Sequence, residues 1–230
     1  MKKRIKQKRA IRAVVFDMDG VLFDTEPMHI RAWQKGLASF GHAYKADYFL
    51  QWVGHSDEAL ATSLAEAHGR MDLRDAYLVA KRREMHFLAQ QELKPFPGVL
   101  DAVQGLSRRV PLGVATSSQR SELEYMLSLT NLAPFFRATV AYNDVAEHKP
   151  HPEPFLAVAR RLGVPASACA ALEDSPNGVR AAREAGMTVL AVTSTFSADA
   201  LAEADRSFAA TAEACAWLAT ELGPSGAKTD

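Results

Sequence analysis

The stretch Ala13-Val14-Val15-Phe16-Asp17-Met18-Asp19-Gly20-Val21-Leu22-Phe23-Asp24-Thr25 decides how this chain is read. Four apolar residues predict a buried strand, and the two acids that follow at i, i+2 leave it on the same side. Gly20 opens a tight turn that other residues adopt only with strain. The pair therefore sits at the carboxyl end of a strand, where ligands of open α/β sheets bind. Asp17, with an ordinary pKa of about 3.9, is ionised at neutral pH and can attack phosphorus without a base. Asp19 can then hold a proton for a leaving alkoxide and take one back from water, which calls for a raised pKa that the Asp17 charge favours. Alone, the same turn also suits a metal site or a capped loop.

Further apolar runs at Leu112 to Ala115, Ala138 to Ala141, Ala170 to Leu172 and Val189 to Val192 alternate with helical patterns. That alternation predicts an α/β fold with a Rossmann-like, doubly wound parallel sheet. Residues 27–94 interrupt it with amphipathic helical patterns at Met28 to Phe40, Glu58 to His68 and Arg74 to Gln91, and Lys94-Pro95-Phe96-Pro97-Gly98 leads back. The expected organisation is an α/β core from 13–26 and 95–222 with an inserted helical domain at 27–94. A basic tail at 1–12 and a loose tail at 223–230 flank it.

Three later segments supply what a doubly anionic phosphate ester needs. Leu112-Gly113-Val114-Ala115-Thr116-Ser117-Ser118 is a strand ending in hydroxyls ahead of a helix, a ready anion site. In Glu147-His148-Lys149-Pro150-His151-Pro152, Pro150 keeps Lys149 out of helix, and its ammonium can offset charge between Asp17 and a phosphate. Cys169-Ala170-Ala171-Leu172-Glu173-Asp174-Ser175-Pro176-Asn177-Gly178 ends a strand in paired acids that suit a hard cation. Singly, each has a plainer account: a helix cap, a solvated lysine, an acidic helix start.

In this order the segments resemble the haloacid dehalogenase superfamily of hydrolases, whose signature DxDGxLxDT is matched by Asp17, Asp19, Gly20, Leu22, Asp24 and Thr25. The resemblance runs from Arg12 to about Leu222. It implies Asp17 as nucleophile, Asp19 as general acid/base whose carbonyl also binds Mg²⁺, and Thr116 with Ser117, assisted by Ser118, on the transferring phosphoryl group. Lys149 would supply countercharge, Asp174 would ligate Mg²⁺, and Glu173 would act through a coordinated water or by holding Lys149. The helical insertion takes the place of the family's cap.

Within the superfamily, Asp24-Thr25-Glu26-Pro27-Met28-His29 resembles sugar-phosphate phosphatases and β-phosphoglucomutases. His29 matches a histidine that assists acid–base work in the mutases; its plainer reading is a helix histidine paired with nearby backbone. The mutase arginine that grips a second phosphate is matched here by Asp57, an acid that would repel a bisphosphate. Lys81, Arg82 and Arg83 read as a solvated helix face, with a phosphate grip as the alternative. Trp33, Trp52 and His55 suit a pocket for an uncharged sugar or a packed aromatic core. The expected activity is a Mg²⁺-dependent phosphatase of small phosphorylated metabolites, with a phosphosugar mutase second and a non-catalytic binding module third.

Composition bounds the rest. Of 230 residues 48% are hydrophobic, enough for a packed core, and no apolar run approaches the ~20 residues of a membrane span. The first twelve residues lack the apolar stretch of a secretory signal, so a cytoplasmic protein without a membrane partner is expected. Seven of the 27 basic residues lie in 1–12 with no acid, leaving 20 basic against 27 acidic elsewhere. Aromatics, at 8%, are not interleaved with arginines, so no nucleic-acid partner is expected. Cys169 and Cys215 are expected as reduced thiols, and the chain as a monomer or weak dimer.

Overall fold

The structure is a computed structural model and describes residues 10–222. Most of the expected basic tail at 1–12 and all of the expected loose tail at 223–230 lie outside the described residues. Ile11 already packs against the core, and the Arg12 N–H donates to the Ala168 carbonyl at 2.7 Å.

Six parallel strands form one sheet: β1 (Ala13–Phe16), β2 (Leu112–Ala115), β3 (Phe136–Val140), β4 (Cys169–Glu173), β5 (Thr188–Val192) and β6 (Arg206–Phe208). Their order is β3-β2-β1-β4-β5-β6, which places β1 inside and the topological switch point between β1 and β4. Five strands fall on the five apolar runs. The sixth is a three-residue edge strand, mostly exposed, whose Arg-Ser-Phe sequence carries no strand signal.

Between β1 and Lys94 lie α1 (Glu26–Ala38), α2 (Ala46–Leu50), α3 (Asp57–Ala67) and α4 (Arg74–Glu92). After it come α5 (Val99–Ser107), α6 (Arg120–Leu129), α7 (Glu153–Leu162), α8 (Pro176–Glu184) and α9 (Thr211–Glu221). Alternation along β1 explains the two layers. Val14 and Phe16 join a cluster with Val103 of α5, Leu123 of α6 and Leu218 of α9. Ala13 and Val15 face Phe155 and Val158 of α7 and Val179 of α8. Strands buried on both faces read as continuous apolar runs, which is why they stand out in the sequence.

The insertion has its own core of Trp33, Leu37, Phe49, Leu60, Leu64, Tyr77 and Leu78. α1 and α4 pack along each other at Gly36, where a Cβ would come within 2.9 Å of the Lys81 backbone nitrogen. Their other contacts, through Met28, Ala32, Met85 and Leu88, join the sheet-face cluster instead, so the insertion is seated on the sheet layer rather than tethered to it. The five-residue α2 is too short to show helical periodicity. Among the described residues no helix is long and apolar enough to cross a membrane.

Candidate active site

The strand geometry carries on past β1: the Asp17 N–H donates to the Leu172 carbonyl at 2.9 Å, so Asp17 keeps the register with β4. Met18 is buried in the core, while Asp17 and Asp19 both line one cavity. Gly20 turns the chain at φ +71°, and a Cβ there would collide with the Asp174 carboxylate. Asp24, although part of the signature, is exposed.

Asp19 is held from four sides. Its Oδ1 accepts from the Thr25 hydroxyl at 2.6 Å and meets His29 Nε2 at 3.3 Å; its Oδ2 accepts from the Ser118 hydroxyl at 2.8 Å and lies 3.5 Å from that of Thr116. Burial pushes the Asp19 carboxyl up, but the His29 bond and charge, with the two hydroxyls of Thr25 and Ser118, outweigh it and hold the carboxyl well below the usual range. This reverses the expectation of a raised pKa, since the Asp17 charge is outweighed by donors the sequence did not reveal. His29 carries the proton: burial and the Lys81 charge push its imidazole down, yet Asp19 and Glu122 bring it to about 9.

Lys149 bridges the two ends of the switch point. Its Nζ donates to Asp17 Oδ1 at 2.8 Å and Glu173 Oε1 at 2.6 Å, above the Phe155 ring. Burial pushes the ammonium down in pKa, but these two carboxylates push it further up, so it stays charged. Glu173 Oε2 accepts from the N–H groups of Asp174 and Ser175 and from the Ser175 hydroxyl. Both Glu173 oxygens are thus engaged by protein donors, which favours the holding role over direct ligation.

Asp17, Glu173 and Asp174 offer carboxylate oxygens within 4.8 Å of one another, all buried, against the single ammonium of Lys149. Burial, only partly opposed by Lys149, raises Asp17 to about 8; burial and the charges of Glu173 and Asp17 raise Asp174 well above its ordinary value. An oxygen-only donor set with surplus negative charge fits a hard divalent cation.

Ser117, Ser118 and His55 also line the cavity, His55 from an exposed position against Trp52. Thr116 is buried, its hydroxyl accepting from the Ser118 N–H at 3.0 Å. Trp33 belongs both to the cavity wall and to the core of the insertion, so its two readings hold together. The expected solvated face of α4 is corrected at Lys81, which is fully buried and donates to Asp57 Oδ2 at 2.5 Å. Arg82 pairs with Glu58 at 2.8 Å, and Arg83 is exposed beside Glu84. Asp57 is therefore paired, not the free acid its place in the loop suggested. Thr195, after β5, lines the cavity and bonds Asp174; nothing in its own sequence context marks it.

Phosphoric monoester hydrolysis is the class of chemistry that this fold and this arrangement of charges define. The chain belongs to the haloacid dehalogenase-like hydrolases, whose family model matches residues 14–192. It is 33% identical over 180 residues to the fructose-1-phosphate phosphatase YqaB of Escherichia coli (strain K12), covering 78% of this chain and 95% of that one. It is 34% identical over 181 residues to a phosphorylated carbohydrates phosphatase of Thermotoga maritima, covering 77% and 82%. Among solved structures, a Thermotoga maritima protein provisionally described as a β-phosphoglucomutase superposes with a TM-score of 0.74 at 31% identity, over 91% of this chain and 99% of that one.

Proposed function

We propose that this hydrolase is a Mg²⁺-dependent phosphatase of small sugar or sugar-alcohol monophosphates that works through a phosphoryl group carried on Asp17. The observation that carries the reading is Lys149, charged and buried, clamped between Asp17 and Glu173 at the switch point. Lys149 fixes Asp17 Oδ1 and leaves the carboxylate lining the cavity. Attack by Asp17 forms the oxygen–phosphorus bond as the ester bond breaks, and Asp19 passes a proton to the leaving oxygen. Water then attacks the acyl phosphate, its proton returns to Asp19, and phosphate leaves with Asp17 regenerated.

The Asp19–His29 pair holds a proton in the wall of the cavity that Asp17 also lines, and Thr25 and Ser118 orient the carboxylate that relays it. Thr116 and Ser117 serve the phosphoryl oxygens, and His29 and His55 flank the substrate. Mg²⁺ would be held by the carboxylates of Asp17 and Asp174 and by the Asp19 carbonyl, supplying charge that keeps Asp17 ionised and offsets the phosphate. Glu173 keeps Lys149 in place. Helices α1 to α4 act as the cap that keeps bulk water from the cavity. The names of the relatives favour hydrolysis of sugar phosphates over the mutase reaction.

The test is hydrolysis of p-nitrophenyl phosphate and of a panel of phosphorylated metabolites. Activity should need Mg²⁺, fall by at least about 10³-fold in Asp17→Asn, and be highest on sugar or polyol monophosphates. Undiminished turnover by Asp17→Asn would remove it as nucleophile, and glucose 6-phosphate formed from β-glucose 1-phosphate without free phosphate would establish the mutase instead.

A further inference from the structure

Behind the cap side of the cavity lies a buried charge, the Lys81 ammonium, that belongs to none of the groups at the phosphate site. Lys81, on α4, has no exposure to solvent and is held by Asp57 Oδ2 at 2.5 Å and Glu122 Oε1 at 3.4 Å. Asp57 lines the cavity, whereas Lys81, which it holds from behind, does not. Its other oxygen accepts from Trp33 Nε1 at 2.9 Å. Each Asp57 oxygen retains accepting capacity beyond the one bond it makes.

Lys149 is the sole lysine or arginine among the residues that line the cavity, and it belongs to the phosphoryl end. The cap end is walled by Trp33, Phe49, Trp52 and Leu60, with Asp57 among them. The indole nitrogen of Trp52 is buried with no protein acceptor among the described residues. A carboxylate acceptor, an indole donor and aromatic faces match a chain of hydroxyls and C–H groups, while the charged His29 that also lines the cavity is already paired with Asp19 at 3.3 Å.

We propose that Asp57 determines specificity by masking Lys81: it neutralises a cation buried behind the cap end, offers its remaining lone pairs to substrate hydroxyls, and so selects uncharged polyol groups over phosphoesters with a second phosphate or a carboxylate. The proposal rests on the phosphatase reading above, deepening it from a class of ester to the charge of the leaving group. It also predicts latent anion recognition. Removing the Asp57 charge leaves the Lys81 ammonium facing the cavity with Glu122 as its remaining partner.

The experiment compares kcat/KM for fructose 1-phosphate, fructose 1,6-bisphosphate and phosphoglycolate, with p-nitrophenyl phosphate reporting the chemistry itself. The wild type should favour the monophosphate over both competitors, each of which carries a second anionic group. Asp57→Asn should raise the bisphosphate-to-monophosphate ratio by about tenfold or more, and the phosphoglycolate ratio with it. Lys81→Met, which leaves Asp57 unneutralised, should move both ratios the opposite way, and the Asp57→Asn/Lys81→Met pair should return them to within about threefold of the wild type. Should Asp57→Asn fail to fold, the downward shift in Lys81→Met carries the test. Ratios that stay constant in both single variants, or a wild type that prefers the bisphosphate, overturn the masking role. A wild type inactive on every ester including the aryl phosphate overturns the phosphatase reading instead.

Discussion

Asp19 and His29 meet at 3.3 Å, and the direction in which each titrates follows from that contact. The imidazole, at about 9 in the folded protein against about 6.5 free, binds its proton more tightly in the native state. A group shifted this way contributes stability that is complete below the free pKa and disappears as pH rises through the folded one. The wild type should therefore exceed His29→Gln in urea stability by on the order of 2 kcal/mol at pH 6, and the gap should close toward pH 9. A gap independent of pH, measured in EDTA so that no metal contributes, would remove the ion pair. Asp19→Asn should lower kcat by at least about 10²-fold, with the phosphoenzyme slow to form and slow to hydrolyse in rapid-quench measurements. That Asp17, Asp19, Lys149 and Asp174 gather around one cavity was legible because each ends an apolar run or sits beside a proline that restricts the chain. Lys81 was not: its partners Asp57 and Glu122 lie 24 and 41 residues away, and a lysine in a charged helical stretch looks solvated until the packing at Gly36 is known.

At the scale of elements, the same logic separates what pattern reveals from what packing decides. Strands β1, β2, β4 and β5 are buried on both faces, so their sequences are uninterrupted apolar runs. β6 borders solvent and is defined by pairing with β5 through Leu190 and Arg206, a relation no local pattern encodes. The turn after β1 shows how tightly an element end can be specified. Gly20→Ala must adopt φ +71° and push aside the Asp174 carboxylate, so it should cost more than about 2 kcal/mol in urea denaturation and abolish phosphatase activity. Gly105→Ala, inside α5 with nothing within 4 Å of the added methyl, should instead stabilise by about 0.5–1 kcal/mol with activity unchanged. Equal effects of the two substitutions would mean that the turn is not pinned by the acid behind it.

For the whole molecule, the sheet's switch point gathers more negative charge than the protein itself neutralises, and stability should register the surplus. Asp17, Glu173 and Asp174 crowd within 4.8 Å, with Lys149 satisfying only the first two. Asp174, raised by burial and by its acidic neighbours, binds its proton more tightly folded than unfolded, so its ionisation opposes folding as pH rises past the ordinary carboxylate range. Asp174→Asn removes that opposition. In metal-free buffer at pH 7.5 the variant should melt above the wild type, despite losing a residue of the proposed metal site. Mg²⁺ should reverse the order: an ion that binds only the folded wild type at 100 times its Kd adds about 2.7 kcal/mol, while the variant, lacking one ligand, should gain far less. Activity should follow the metal and not the melting temperature, so the more stable apoprotein is the inactive one. If Asp174→Asn melts lower than the wild type in EDTA, the three carboxylates are not in surplus. If Mg²⁺ raises both melting curves equally, the ion is bound elsewhere.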